Sequence, residues 1–322
     1  MPSALSAPHF HNEEAAYAWV EARLWPNGPV CPRCQGTDRI TVLKGSSTRI
    51  GVRFCNPCRK PFNVKVGTIF ESSHIPLRIW LQAIALLCAS KKGMSSNQLH
   101  RTLGLTLKSA WFLSHRIREA MRGDALSPLG AGGKIVEADE TYFGKKAQPS
   151  ERKTKRYTQP TKGGRSGPGG KRAIVSLVER GGEVRSFHVE NADKPTVNKI
   201  VSENIAREAR LHTDESRLYG DALGHVAEHE TVKHSAGEYV RGVKGPEAIH
   251  TNSAEGYFSI FKRGMKGVYQ HCKEKHLHRY LAEFDFRYNA RVALGVNDTA
   301  RADKALRGVV GKRLTYRPTD GG

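Results

Sequence analysis

Apolar residues recur at spacings of three and four between residues 76 and 122, which predicts helices in this part of the chain. Pro76 suits a first helical turn. Ser95 suits the N-cap of a short helix that ends before Gly104, and residues 106–122 predict a longer basic helix. A short helix, a glycine turn and a longer basic helix are typical of a helix-turn-helix, and an ordinary three-helix packing unit is the alternative.

The second half of the chain alternates between strand-like and helix-like patterns. Strands are predicted over residues 134–143, 173–179, 183–190, 210–213 and 230–233, and helices over 196–209, 252–265 and 276–291. Two adjacent glycines, Gly181 and Gly182, predict a hairpin between the second and third strands. A hairpin, a crossover helix and a further strand follow the order expected for a ribonuclease-H-like α/β fold with a mixed sheet.

Four of the six cysteines form two CxxC pairs with 20 residues between them, Cys31 with Cys34 and Cys55 with Cys58. This spacing is typical of a zinc ribbon, in which two turns each present two thiolates to one structural Zn²⁺. The intervening sequence predicts a small hairpin. A redox role for one pair is the alternative, and the second pair argues against it.

The excess of basic over acidic residues indicates a binding partner. The chain of 322 residues has 52 Lys and Arg against 31 Asp and Glu, a formal net charge of +21. Such an excess indicates a polyanionic partner, and we expect double-stranded DNA. No apolar run reaches membrane-spanning length and the N-terminus lacks a secretory signal pattern, so we expect no membrane partner and a cytoplasmic, nucleoid-associated protein of a bacterium.

Basic residues predict DNA contacts in two places. The longer basic helix offers Lys108, Ser109, His115, Arg116 and Arg118. Residues 145–172 are poor in apolar side chains and predict a basic loop that orders on nucleic acid, with contacts from Arg152, Lys153, Lys155 and Arg156. A solvated insertion is the alternative for this loop.

Three acids end a strand or begin a helix in the second half of the chain. Asp139 lies in the first predicted strand, Asp214 directly follows the fourth, and Glu255 lies near the start of a helix. Because such positions can converge, we expect these three carboxylates to bind two Mg²⁺ (or Mn²⁺) ions for chemistry on phosphate. Lys262 lies two helical turns after Glu255, and Asn252 one turn before it, on the same helix face. The alternative is three unrelated surface acids.

These motifs together resemble the DDE transposases of bacterial insertion sequences that carry an N-terminal zinc ribbon. The resemblance rests on residues 136–144, 212–219, 250–263 and 276–289, and it extends from about residue 14 to 292. It departs from the family at Phe258, where Trp is frequent. Such families sometimes use Asn or His as the third ligand, which keeps Asn252 as a candidate.

The resemblance implies a metal-binding triad of Asp139, Asp214 and Glu255, with Lys262 as the accompanying basic residue. We also expect Arg263 to contact DNA. The resemblance implies cleavage at element ends followed by attack of the freed 3′-hydroxyl on target DNA, by a homodimer or larger assembly. The alternatives are a zinc-ribbon regulator with a relic catalytic domain and a nuclease without strand transfer.

The patterns divide the chain into four predicted parts. These are a zinc ribbon with an N-terminal helix over 1–70, a helical DNA-binding segment over 71–125, a catalytic domain over 131–295 and a basic tail over 296–322.

Overall fold

The structure is a computed structural model that describes residues 5–123, 127–146, 170–242 and 245–315. The chain divides into two compact units, one made of residues 1–123 and 290–322 and the other of residues 124–289. Within the described ranges, none of the helices has the length and apolar character needed to cross a membrane.

The first unit begins with a helix and a three-stranded antiparallel ribbon. These elements are α1 (Glu13–Leu24), β1 (Ile40–Val42), β2 (Arg53–Cys55) and β3 (Lys60–Phe62), with the strands in the order β1-β2-β3. The predicted hairpin is confirmed as the pair β1 and β2. A third strand, absent from the prediction, follows the second CxxC and pairs with β2.

Three helices follow the ribbon in the predicted order. They are α2 (Leu77–Ala89), α3 (Ser96–Leu103) and α4 (Leu107–Ala120). The Ser95 side chain accepts a hydrogen bond from the Gln98 N–H and caps α3, and Gly104 ends that helix with a φ of 64°. Thr106 caps α4 in the same way by accepting from the Ser109 N–H. The short-helix, glycine-turn, long-helix pattern is therefore confirmed.

The second unit is built on a five-stranded mixed sheet. Its elements are β4 (Ile135–Lys145), β5 (Lys171–Glu179), β6 (Val184–Val189), α5 (Lys194–Asn204), β7 (Arg210–Thr213), β8 (Glu228–Thr231), α6 (Asn252–Gly264) and α7 (Leu277–Asn289). The strand order is β6-β5-β4-β7-β8, antiparallel among the first three and parallel from β4 to β8. The predicted ribonuclease-H-like α/β fold is confirmed.

Helices cover both faces of this sheet. Val136 and Ala138 of β4 share one buried cluster with the apolar side of α5. Ile174 and Val178 of β5 share another with α6 and α7. Because side chains alternate along a strand, the odd-numbered residues of β4 near its middle point toward α6.

Helix α5 is shorter than the predicted helix over 196–209. The residues after Asn204 are not helical because the Leu129 N–H donates to the Asn204 carbonyl and the Leu129 carbonyl accepts from the Ala206 N–H, each at 2.8 Å. This contact with a residue distant in sequence ends the helix, and local helix propensity cannot predict it.

The predicted basic tail over 296–322 contains a helix in its described part, residues 296–315. They include α8 (Asp298–Arg307), which packs against α2. The buried Arg301 guanidinium donates to the carbonyls of Cys88 and Ala290, both at 2.7 Å. This segment is therefore an integral part of the first unit up to at least the end of α8.

Candidate active site and metal centres

The first two predicted acids lie just beyond the point where β4 and β7 pair. Glu137 stands opposite His212, where the parallel pairing ends. Asp139 follows two residues later within β4, and Asp214 directly follows β7. Side chains alternate along a strand, and Glu137 contacts the start of α6, so Asp139 also points to the α6 side of the sheet.

The pKa of Asp139 is raised by its surroundings. Burial first, and then the negative charges of Glu140, Asp214 and Glu255, raise this pKa from an ordinary value of 3.8 to about 8. A half-buried carboxyl among like charges is a site that cations stabilise, and carboxylates are hard ligands suited to divalent cations. Within the described residues, the three predicted acids do not form a group whose ligand atoms all lie within 4.8 Å of one another.

Glu140 is a further acid next to Asp139 in β4, on the α5 side of the sheet, and the sequence pattern did not predict a role for it. Its carboxylate accepts hydrogen bonds from the Tyr219 hydroxyl at 3.0 Å and the Ser216 hydroxyl at 3.3 Å. The Ser216 N–H donates to the Asp214 Oδ1 at 2.9 Å. The turn after β7 therefore fixes both Glu140 and Asp214.

Helix α6 carries the remaining predicted site residues. Glu255 is exposed in its first turn, and the Glu255 Oε1 lies 3.7 Å from the His234 Nδ1. Asn252, the first residue of the helix, is also exposed. Between these two candidates for the third ligand, Glu255 is the one whose charge raises the pKa of Asp139. Further along, Lys262 is half-buried and Arg263 is exposed.

Glu137 is a fully buried acid on β4, two residues before Asp139, and its role was not predicted from sequence. Its carboxylate accepts from the Ser253 N–H at 2.7 Å and the Ala254 N–H at 3.1 Å, and it pairs with Arg180 at 2.9 Å. Burial, and then the Arg180 charge, lower the pKa of the neighbouring His212 to about 4, so this ring is neutral. A single charge within the apolar run of a buried strand was the signal available in the sequence.

The four cysteines of the CxxC pairs converge as predicted. Their Sγ atoms all lie within 4.8 Å of one another. Among the described residues, these cysteines are the group of three or more His, Cys, Asp or Glu side chains whose ligand atoms lie this close together. The Cys31–Cys58 and Cys34–Cys55 Sγ distances are both 3.6 Å. Zn–S bonds of about 2.3 Å in a tetrahedron give Sγ–Sγ edges of about 3.8 Å, so the donor set fits Zn²⁺.

The predicted DNA contacts on α4 divide into an exposed and a buried group. Lys108 is exposed and Ser109 half-buried, both near the start of the helix. His115, Arg116 and Arg118 are buried in the first unit. The predicted DNA contacts at these three positions are therefore wrong, because the side chains lie inside the fold.

Arg116 illustrates the reason for this correction. Its guanidinium donates to the carbonyls of Ile69, Glu71 and Leu314 at 2.7, 2.8 and 3.0 Å. All three acceptors are backbone atoms of the same unit, so the arginine connects separate segments of it. The predicted loop contacts Arg152, Lys153, Lys155 and Arg156 lie outside the described residues.

Known proteins match both parts of this arrangement. Residues 130–289 match the family described as the ISXO2-like transposase domain, and residues 11–61 match the transposase zinc-ribbon domain. The chain is 27% identical over 284 residues to an uncharacterized protein in transposable element ISH50 of Halobacterium salinarum, which covers 86% of this chain and 91% of the relative.

Solved structures give weaker similarities. The Mos1 transposase paired-end complex with left transposon end has a TM-score of 0.28 and 13% identity, over 71% of this chain and 74% of that chain. The Mos1 Strand Transfer Complex has a TM-score of 0.22 and 11% identity, over 67% and 77%. The two family matches together span more than half of the sequence, and the chain therefore belongs to the transposases that combine an ISXO2-like transposase domain with a transposase zinc ribbon.

Proposed function

We propose that this transposase binds the ends of its insertion sequence, cuts the DNA there with divalent metal ions, and joins the freed 3′-hydroxyl to target DNA. The observation that carries the proposal is the placement of Asp139 on β4 and of Asp214 directly after the adjacent strand β7, with Glu255 in the first turn of α6. It lies within the segment that matches the transposase domain. The net charge of +21 supports a DNA substrate.

The three acids would hold two Mg²⁺ or Mn²⁺ ions, for which carboxylates are suitable hard ligands. Bound there, such ions supply Lewis acidity that activates an attacking hydroxyl and stabilises a leaving oxygen. Lys262, two turns after Glu255 on α6, would attract a DNA phosphate to the acids. Asn252 would orient the Glu255 carboxylate or share in ligand binding.

The proposed reaction has two displacements at phosphorus. In the first, a water oxygen attacks a phosphodiester at the element end, and the displaced 3′-oxygen takes a proton. In the second, this 3′-hydroxyl attacks a phosphodiester of the target, and a target 3′-hydroxyl leaves. The second step replaces one phosphodiester with another, so it needs no external energy source.

The remaining parts of the chain would hold the DNA. The zinc ribbon and the helices α3 and α4 would bind the element ends, with Lys108 and Ser109 as contacts. Arg263 would contact DNA beside the acids, together with the basic loop over 145–172. Joining needs two ends at one target, so we expect a dimer or larger assembly on DNA.

The test is a cleavage and joining assay in Mg²⁺. It uses a labelled duplex with the terminal repeat of the element and a supercoiled target plasmid. Wild type is compared with Asp139→Ala, Asp214→Ala and Glu255→Ala, and with Glu203→Ala as control. Glu203 is an exposed acid on α5, on the opposite face of the sheet.

We expect joined products from wild type and Glu203→Ala, and none from the triad variants, while all variants keep end binding. Full turnover by a triad variant would remove that residue from the site. Cleavage without joining by wild type would favour the nuclease, and end binding without either product would favour the regulator.

A further inference from the structure

Helix α6 begins without a cap from its own flanking residue. Thr251 occupies the N-cap position, and its side chain makes no capping hydrogen bond. The first N–H groups of a helix need acceptors from outside the helix, and Glu255 lies in this first turn. The group that accepts hydrogen bonds from these N–H groups therefore also determines the position of Glu255.

Glu137 on β4 provides that acceptor. Its Oε2 accepts from the Ser253 N–H at 2.7 Å and from the Ala254 N–H at 3.1 Å, and its Oε1 accepts from the Ser253 hydroxyl at 2.9 Å. A carboxylate at a helix N-terminus is also stabilised by the helix dipole. Because Glu137 is fully buried, these contacts are shielded from competition by water.

Arg180 holds this carboxylate and the segment that leads into α6. Its Nε and Nη2 donate to the Glu137 Oε1 at 3.0 and 2.9 Å. Its Nη1 donates to the Pro246 and Ala248 carbonyls at 2.7 and 2.8 Å. The arginine balances the buried charge, and it connects the residue after β5 with the approach to the helix.

Glu137 and Asp139 lie two residues apart and therefore on the same face of β4, so the strand that carries the first acid also holds the helix that carries the third. We propose that Glu137 is a positioning residue that sets the spacing between Asp139 and Glu255, and that it does so through the backbone of α6 without binding metal itself. This inference rests on the proposed function of the three acids as metal ligands.

The test is Glu137→Gln in the full-length, zinc-loaded protein. Glutamine keeps the shape but loses the charge and one of the two acceptor oxygens. Removal of a group that orients metal ligands typically weakens metal affinity about 10- to 100-fold, and we expect a change of that size. Mn²⁺ binding is measured by calorimetry, and the Mg²⁺ concentration for half-maximal cleavage is measured separately. Excess Mn²⁺ should restore much of the cleavage rate.

Asp285→Asn is the matched control. The half-buried Asp285 accepts from the Ser186 N–H at 2.9 Å and from the Tyr257 hydroxyl at 2.5 Å, so it anchors the middle of α6 and not its first turn. We expect Asp285→Asn to lower the melting temperature and to leave Mn²⁺ affinity unchanged. A Glu137→Gln protein that melts earlier but binds Mn²⁺ like wild type would overturn the proposal.

Two further variants keep the test decisive. If Glu137→Gln does not fold, the double variant Glu137→Gln, Arg180→Gln removes the unbalanced guanidinium, and the same Mn²⁺ titration applies to it. Asp139→Ala separates this proposal from the proposed function. Suppose that wild type binds Mn²⁺, that Asp139→Ala and Glu137→Gln weaken this binding, and that wild type neither cleaves nor joins DNA. This result would refute the transposase reaction and support the positioning role. Mn²⁺ binding that is equal in all variants would overturn both.

Discussion

Replacing Arg116 should damage the fold of the first unit and spare DNA binding by its surface. Arg116→Met removes three hydrogen bonds from a charged donor to the buried carbonyl of Ile69 and the half-buried carbonyls of Glu71 and Leu314. Each such bond contributes about 1.5–3 kcal/mol, and part of this is offset because burial of the guanidinium also costs free energy, which lowers the pKa of Arg116. We expect a net loss of about 3 kcal/mol in the free energy of unfolding.

The same helix offers a matched comparison in Lys108→Met. Lys108 is exposed, so its replacement should change the unfolding free energy by less than about 0.5 kcal/mol. All 4 tryptophans of the chain lie in residues 19–111. Urea unfolding followed by tryptophan fluorescence therefore reports the stability of the first unit in both variants.

DNA affinity is then measured over a range of salt concentrations. Loss of one phosphate contact at Lys108 should reduce the slope of log K against log salt by about 0.9, and Arg116→Met should leave the slope unchanged under conditions where it is folded. A reduced slope in Arg116→Met together with a wild-type unfolding curve would refute the reasoning, because it would place the guanidinium on DNA.

Three further outcomes are expected. Asn252→Ala should reduce cleavage less than Glu255→Ala, because the Glu255 charge acts on Asp139; the reverse order in matched rate assays would make Asn252 the third ligand. Chelation of zinc should unfold the ribbon and weaken end binding while the sheet of the second unit persists, and an unchanged footprint on zinc-free protein would contradict this. In Mg²⁺-free, zinc-loaded protein, stability should fall as pH rises from about 4 to about 8, because folded Asp139 (pKa about 8, usual value 3.8) binds a proton that the unfolded chain has lost. Asp139→Asn should flatten this fall in melting temperature, and equal slopes for the two proteins would count against the assignment.

The strand that carries Asp139 and the strand that Asp214 follows could be predicted from sequence because apolar runs mark buried strands, and a polar residue after a run stands out. Asp139 closes the apolar run but lies in the middle of β4, which continues to Lys145. The helix that carries Glu255 could be predicted from its periodicity. The short third strand of the ribbon, β3, could not, because its three residues, Lys60–Phe62, include a proline and carry no alternating pattern. Helix α8 was missed for a related reason, since charged residues dominate it.

The roles of Glu137 and Arg116 could not be predicted because they depend on partners that are distant in sequence. A basic residue on a helix has the same local pattern whether it meets a phosphate or a buried carbonyl. The Ser253 N–H that Glu137 accepts from is 116 residues away along the chain. Local periodicity indicates that such a side chain is inside, and the assembled fold alone determines what it contacts.

The cap that β4 provides to α6 has a consequence for the order in which the chain gains structure. Helix N-termini ordinarily fray, but here the Ser253 and Ala254 N–H groups donate to a buried carboxylate that an early part of the chain supplies. Their exchange with solvent deuterium should therefore be as slow as that of the amides in the centre of β5, and fast exchange would show that the turn opens locally. Since α6 also leaves the ribosome last among the three acid-bearing segments, a nascent chain would hold its first two acids in place before the third could join them.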